Sequence, residues 1–284
     1  MDPSTIVITG ATGQLGKALQ KQYPGARVAD SQTLDISSGE SVKSYDWSGV
    51  THIINAAAYT NVDGAETEEG RKQAWAVNAT GAANLSKVAA EHNLTLVHIS
   101  SDYVFDGTKD NHNENEELSP LSVYGATKAA GDVAASLTPK HYILRTSWVI
   151  GDGNNFVRTM SGLAAKDISP TVVHDQVGRL TFTSELARAI DHLLSSKSPF
   201  GIYNVSNSGD PACWADITRE IFSQLDRNDL TVTNTTTAEY FMGKDGIAPR
   251  PLQSTLDLLK IHGTGFVSKN WKEELSEYLK GENR

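Results

Sequence analysis

Residues 5–16 read TIVITGATGQLG, and the fold turns on how this stretch is read. Thr5 to Thr9 is a short β-branched run of the kind that makes a buried strand, and it stops at Gly10. From Gln14 to Tyr23 the apolar residues Leu15, Ala18 and Leu19 fall on one helical face, so a helix follows the strand after a tight turn. The turn carries Gly10, Gly13 and Gly16. Glycine suits a chain that must turn sharply, let its backbone approach a diphosphate and bring the helix close to the strand. The N–H groups of the first helical turn, Gln14 and Leu15 among them, then face the negative charge. A plain strand-turn-helix unit also uses glycine; the place after the first strand favours a dinucleotide site.

Working outward, Ala26 to Ala29 reads as a second strand ending at Asp30. This is where an acidic side chain accepts hydrogen bonds from an adenosine ribose, although a strand-end turn also uses aspartate. Ser31 follows where an arginine would hold a 2′-phosphate, so NADH is favoured slightly over NADPH. Asp35 and Ile36 open a further turn that can reach the adenine. His52 to Asn55 is a third strand without alternation, hence parallel and buried. It runs into Ala56, Ala57 and Ala58, small enough for a dinucleotide to lie against the backbone, or for simple close packing. Helical sequence then runs from about Gly64 to Val77 and on to Glu91. Between them Asn78 is read as a helix N-cap or as a polar group near the site.

Thr95 to Ile99 is a fourth strand, delivering Ser100, Ser101 and Asp102 to the carboxyl edge, where open α/β sheets bind ligands. The polar stretch Gly107 to Ser119 reads as a mobile flap or surface loop. Next comes PLSVYGATKAA, residues 120–130, with Tyr124 and Lys128 four apart. On a helix this spacing stacks both side chains on one face, and the ammonium is expected to lower the phenol pKa from about 10. Bringing that phenol near neutrality needs roughly 4 kcal/mol of interaction. Such a phenol can exchange protons with a carbonyl or an alcohol, while a hydroxyl at Ser101 donates to the same oxygen. Alone, the spacing equally describes a surface tyrosine over a lysine stem.

His141 to Arg145 is a fifth strand, and strands alternating with helices over residues 1–150 imply a doubly wound parallel sheet, the Rossmann arrangement. Residues 151–284 are less regular. Helices are expected over 154–165, 183–194, 214–225 and 270–279, and extended segments over 170–173 and 202–205. No proline- or glycine-rich linker divides the halves, so they are expected to interleave, with strands of the first completed from within 180–206.

The bulk properties exclude several classes. With 284 residues, 39% of them hydrophobic, the chain can bury a sizeable core. A net charge of −9 argues against nucleic acid or an anionic membrane as partner. No apolar run approaches the roughly 18–20 residues of a membrane helix, and the opening MDPST lacks signal-peptide character. A single cysteine, Cys213, excludes an internal disulfide and fits a reducing cytoplasm, and no C-x-x-C pair suggests a metal site.

With these residues on the page, the chain resembles an extended short-chain dehydrogenase/reductase from end to end. Within that superfamily it is most similar to the dTDP-4-dehydrorhamnose reductase family. The blocks that carry the likeness run from Ala57 to Asp63 with Glu66, from Ser101 to Gly107 and from Arg145 to Trp148. Further blocks run from Asn154 to Val157 and from Asp175 to Gly178, and the last is Arg250-Pro251 with Ser254, Leu256 and Lys260. Leu180 departs from the proline usual in the family, and Ile150 from an aromatic. The resemblance implies reduction of a 4-keto nucleotide-sugar by NADH or NADPH. The catalytic set would be Ser101, Tyr124 and Lys128. The glycine loop, Asp30, Asp35, Ile36, Ala56 to Ala58, Tyr59 and Asn78 would hold the cofactor, with Lys128 on the nicotinamide ribose. Asp102, Val104, Trp148 and Asn155 would join Ser101 in lining the sugar-nucleotide pocket, with a 151–284 substrate-binding domain behind them. Arg179 and Arg250 are candidates for the diphosphate because guanidinium matches phosphate bidentately; surface salt bridges are the plainer role. A homodimer is compatible with the resemblance. Two alternatives stay open: an epimerase or dehydratase of the same superfamily, and a non-catalytic subunit like the regulatory subunit of methionine adenosyltransferase. A dehydratase would need an acid/base pair where Asp102-Tyr103 stands.

Overall fold

The computed structural model describes residues 1–282. Its first half builds β1 (Ile6–Thr9), α1 (Gln14–Gln22), β2 (Arg27–Ala29), α2 (Gly39–Ser44), β3 (His52–Asn55), α3 (Glu68–Ala74), α4 (Gly81–Glu91), β4 (Thr95–Ser101), α5 (Val123–Ser136) and β5 (His141–Thr146). The chain continues through β6 (Val149–Ile150), α6 (Phe156–Ala164), β7 (Thr171–Val173), β8 (Val177–Gly178), β9 (Thr181–Phe182), α7 (Thr183–Ser195) and β10 (Gly201–Asn204). It ends with β11 (Ala212–Cys213), α8 (Trp214–Gln224), β12 (Thr233–Thr235), α9 (Thr237–Phe241), α10 (Leu259–His262) and α11 (Trp271–Glu282).

The central sheet is parallel, in the order β10-β5-β4-β3-β1-β2. Successive residues of its inner strands face opposite layers, which is why those runs show no polar alternation. Ile6, Ile8, Ile54 and Val97 pack with Leu15 and Leu19 of α1 and Leu186 and Ile190 of α7. Val7, Ile53, Leu96 and Ile143 pack on the other side with Leu85 and Val88 of α4. From β1 the chain steps to β2 on one side, then crosses back to β3 on the other, leaving a crevice at their carboxyl ends. The sixth strand, β10, comes from the second half and pairs with β5.

A separate core beyond the crevice gathers Val157 and Met160 of α6, Ile217 and Ile221 of α8, and Trp271 and Leu275 of α11. Leu180 and Ile150, the two departures from the family pattern, are buried within it. Among the described residues no helix is long and apolar enough to cross a membrane, and no cluster of side chains could hold a metal ion.

Residues 107–119 form the surface loop that was one of the two expectations, with most of 108–117 exposed, but the loop is anchored at buried points. His112 is fully buried with its ring stacked on Phe105, 4.7 Å between centroids. Its Nδ1 meets the Glu116 carboxylate and its Nε2 the carbonyl of Gln253, while its backbone N–H donates to Thr255. Glu114 accepts from the Asn204 N–H at the start of its own network with β10. Most of its polar residues face water, while His112, Glu114 and Glu116 tie the loop to the 253–257 segment and β10, which a local reading of polarity cannot separate from the exposed ones.

Candidate active site

The glycine loop is built by close approach. Gly10 has φ +67°, and a Cβ on it would meet the backbone of Ala56 and Ala57 at 2.5–2.6 Å. A Cβ on Gly16 would lie 2.3 Å from the Gly10 carbonyl oxygen. Gly13 is the N-cap of α1 and brings no capping side chain, so the first-turn N–H groups stay available to an anion. Gln14 joins the halves: its Oε1 accepts from the Gly151 N–H at 2.8 Å. The strand ends are tied together by buried side chains. Thr9 Oγ1 donates to Asn55 Oδ1 at 2.7 Å, that oxygen also accepts from the Ala57 N–H, and Asn55 Nδ2 meets His98 Nδ1 at 3.1 Å. This fixes the course of Ala56 to Ala58 along the cleft floor.

Asn78 is not a helix N-cap. The helix runs continuously through it as a π-helical stretch, Trp75–Thr80, between α3 and α4, so no free N–H groups need capping there. Its buried amide instead accepts from the Tyr59 N–H at 2.9 Å and donates to the Tyr59 carbonyl and to Thr127 Oγ1. Single π turns of this kind recur at functional sites. The Ala57–Glu66 block has a structural meaning as well. Glu66 accepts from the Val123 N–H at the start of α5, and Asp63 pairs with Arg250 at 2.8 Å.

Helix α5 is pressed through its glycines against the turn that follows β4 and against the π-helical stretch. A Cβ on Gly125 would lie 2.2 Å from the Tyr103 carbonyl oxygen, and one on Gly131 2.4 Å from that of Asn78. Tyr124 and Lys128 are both buried. The Tyr124 ring meets the Tyr103 ring edge-on, and Lys128 Nζ donates to the Ile99 carbonyl at 2.6 Å. On the neighbouring strand end Ser101 Oγ donates to Asp102 Oδ1 at 3.0 Å and accepts from the Tyr103 N–H.

Burial governs the electrostatics. It pushes the Tyr124 phenol up to about 12; the Ser101 hydroxyl pulls it back, and the Asp102 and Asp132 charges push further. The expectation that Lys128 would depress this phenol is thereby corrected. Spacing gave the proximity of the two groups but not the loss of water around them, and here the desolvation is the larger effect. The same burial lowers Lys128 to about 8, against the pull of Asp132, and raises Asp102 to about 6, against hydrogen bonds from Ser254 and Ser101.

One cleft of about 600 Å³ unites Gly13, Gln14, Leu15, Ala56 to Ala58, Ser101, Asp102, Tyr124, Lys128 and Trp148. Gly10 and Gly16 lie just behind it as spacers, and Asn78 and Tyr59 support it from the side. Trp148 forms one wall from a left-handed backbone, φ +46°, a conformation costly for a bulky residue and held here by stacking on Trp214 at 3.7 Å. Beyond the Trp214 ring a second, mainly apolar pocket of about 200 Å³ is lined by Phe156, Met160, Val173, Phe241 and Arg250.

Other expected site residues are not brought to the cleft wall. Val104 is wholly buried in a small core with Phe105 and Leu256. Asn155 caps α6 and donates to the carbonyls of Gly151 and Gly153 and to the Tyr278 hydroxyl. Arg179 donates to the carbonyls of Gly209 and Leu256. Ile36 packs under Gly81, Asp35 accepts from Ser37, and Asp30 Oδ1 accepts from the Gln32 and Thr33 N–H groups. Ser100, expected at the carboxyl edge, lines the cleft, whereas Thr60, Thr146 and Trp214 carried no site role in the sequence. Thr146 could have been found once strand order was known, because it ends β5 beside Ser101 at the end of β4. The arrangement can bind a dinucleotide along the glycine loop and alanine floor and protonate an oxygen held between Ser101 and Tyr124.

Comparison with known proteins identifies the family and the fold. The family described as RmlD substrate binding domain matches residues 4–283. A dTDP-4-dehydrorhamnose reductase of Aggregatibacter actinomycetemcomitans is 38% identical, over 95% of this chain and 96% of that protein. Among solved structures, a dTDP-4-dehydrorhamnose reductase of Clostridium acetobutylicum superposes with a TM-score of 0.90 at 39% identity, covering 98% of this chain and 99% of the other. The reductase of Bacillus anthracis, solved in complex with NADP, gives a TM-score of 0.88 at 34% identity, covering 97% and 98%.

Proposed function

The chain belongs to the RmlD substrate binding domain family, and from that premise we propose that it reduces the 4-keto group of dTDP-4-dehydro-L-rhamnose to give dTDP-L-rhamnose. The observation that carries the reading is the meeting, in one cleft, of a buried Tyr124, Lys128 and Ser101 with an uncapped helix N-terminus and an alanine floor. A reduced nicotinamide dinucleotide, when bound, supplies the hydride. The residues supply the rest. Tyr124 begins neutral, as its burial requires, and donates its proton to the carbonyl oxygen as charge develops there. Ser101 donates to the same oxygen and orients it. Lys128 holds the nicotinamide ribose and stabilises the phenolate left behind. Trp148 lies against the sugar as a flat apolar wall. The pocket beyond Trp214 suits the nucleobase, and Arg250 at its rim suits the diphosphate, exchanging part of its pairing with Asp63. Arg179 stays in the framework. An unpaired Cys213 fits action in the cytoplasm.

The test is direct. The purified protein is expected to oxidise NADH or NADPH when dTDP-4-dehydrorhamnose is supplied and not otherwise, followed by nicotinamide absorbance. Unchanged absorbance with authentic substrate and each cofactor in turn would sink the reading.

We infer a preference for NADH from Asp30. No lysine or arginine occupies positions 31–38, and Asp30 Oδ2 is left to a ribose hydroxyl while Oδ1 holds the turn. Asp30→Ala should lower the ratio of kcat/KM for NADH over NADPH by about tenfold, the worth of one hydrogen bond to a charged group. An unmoved ratio would remove Asp30 from the ribose.

A further inference from the structure

Behind Lys128 lies a charged pair that the proposed reaction does not use. Asp132 follows Lys128 by four residues on α5, on the same helical face, and is buried. Its Oδ2 accepts from Arg145 Nε at 3.0 Å across to β5, where Arg145 is equally buried. The guanidinium is itself fixed: it donates to the Glu114 carbonyl and lies over the Phe105 ring at 5.1 Å. Asp132 Oδ1 and Ser100 Oγ on β4, the strand that carries Ile99 and Ser101, make no hydrogen bond of normal geometry, yet the hydroxyl favours the charged carboxylate, as do the Arg145 and Lys128 charges. The coupling between Asp132 and the neighbouring ammonium works in both directions. Lys128 has lost its water, its one hydrogen bond to protein is the neutral Ile99 carbonyl, and Asp132 is the anion whose charge favours its protonated form.

We propose that Asp132, clamped by Arg145, is a positioning residue that keeps Lys128 charged and directed at the cleft during reduction. The inference rests on the reductase reading. The groups coupled to Lys128 are Asp132 from its own helix and His98 from β4, with Tyr124 and Asp102 lining the same cleft and Arg145 on β5 behind Asp132. Lys128 works protonated, so cofactor affinity and kcat/KM fall as pH rises through its pKa. Removing the Asp132 charge lets the proton leave sooner, and the alkaline limb moves to lower pH.

The experiment records that limb in two ways, by kcat/KM and by NADH affinity from tryptophan fluorescence, the second needing no sugar substrate. Asp132→Asn should move both limbs down by about one unit or more. Because this variant leaves Arg145 buried and unpaired, the double variant Asp132→Asn/Arg145→Gln is made beside it; it should fold and keep the shift. Asp132→Glu should bring the limb back towards its original place, and Lys128→Met should abolish it. A limb unmoved in the double variant, or one that persists in Lys128→Met, overturns the proposal. An absence of turnover by the parent protein with a normal affinity limb would instead overturn the reductase reading.

Discussion

Tyr124→Phe is expected to fold and bind NADH as the parent does, and to reduce the keto sugar more slowly by about 10²- to 10⁴-fold, the usual contribution of a placed proton donor. The ring stays where packing holds it, edge-on to Tyr103 and against the Ala65 and Ala74 cluster. Only the hydroxyl is lost; the Tyr103 phenol also lines the cleft, but burial and the Asp102 charge push its pKa well above its ordinary value and make it a poorer acid. Ser101 is an aliphatic hydroxyl whose one proton turns from Asp102 to hydrogen-bond the substrate oxygen and is too weakly acidic to be transferred to it, and Lys128 points its ammonium at the Ile99 carbonyl. Asp102, pushed up to about 6, is largely ionised at neutral pH and is a poor proton source. The pH profile separates the roles. A phenol held up at about 12 stays protonated across the working range, so the alkaline loss of activity expected of the parent is assigned to Lys128, lowered to about 8. The residual activity of Tyr124→Phe should therefore keep the same alkaline limb. Turnover within tenfold of the parent would mean that the acid is elsewhere, and a parallel loss of NADH affinity would mean that the phenol binds rather than protonates.

What could be read from the chain follows from which effects are local. The strand-glycine-helix opening, the run of parallel strands and the placing of Ser101, Tyr124 and Lys128 rest on short-range spacing, and the sheet assembles them as those spacings require. Asn78 was ambiguous because a helical pattern does not reveal a π turn, which changes where one side chain points without changing composition. The 107–119 stretch is a surface loop, as its polarity suggests, but its anchors are not legible because they lie far along the chain, His112 on the 253–257 segment and Glu114 on β10. Arg250 has the same character: its partner Asp63 lies in another block altogether. The direction of the Tyr124 shift needed burial, which is a property of the packed molecule. Asp132 was passed over because an aspartate on a helix reads as solvated until the strand opposite is known to bear Arg145.

The largest effect away from the chemistry is expected at Gly16. A Cβ there would meet Gly10 O at 2.3 Å and the Ala11 backbone at 2.7–2.8 Å, and every one of these atoms belongs to the loop's own main chain. No rotamer change can relieve that contact. Gly16→Ala must move either α1 or the loop, at about 1–3 kcal/mol for an overpacked site. The same movement disturbs the N–H groups of Gln14 and Leu15, so the damage extends to ligand binding. The expected result is a lower Tm, by about 2–4 °C per kcal/mol in a chain of this size, together with loss of most of the further rise that NADH gives the parent. Gly162→Ala supplies the contrast. It lies within α6 with nothing within 4 Å of its would-be Cβ, and replacing a helical glycine by alanine should stabilise by about 0.5–1 kcal/mol. If the two substitutions change Tm and the NADH-induced rise alike, the tight packing of α1 on the first loop is not what forms the dinucleotide site. If only Gly16→Ala loses the rise, the closeness of helix to strand, rather than glycine's flexibility in the unfolded chain, is what the opening TIVITGATGQLG encodes.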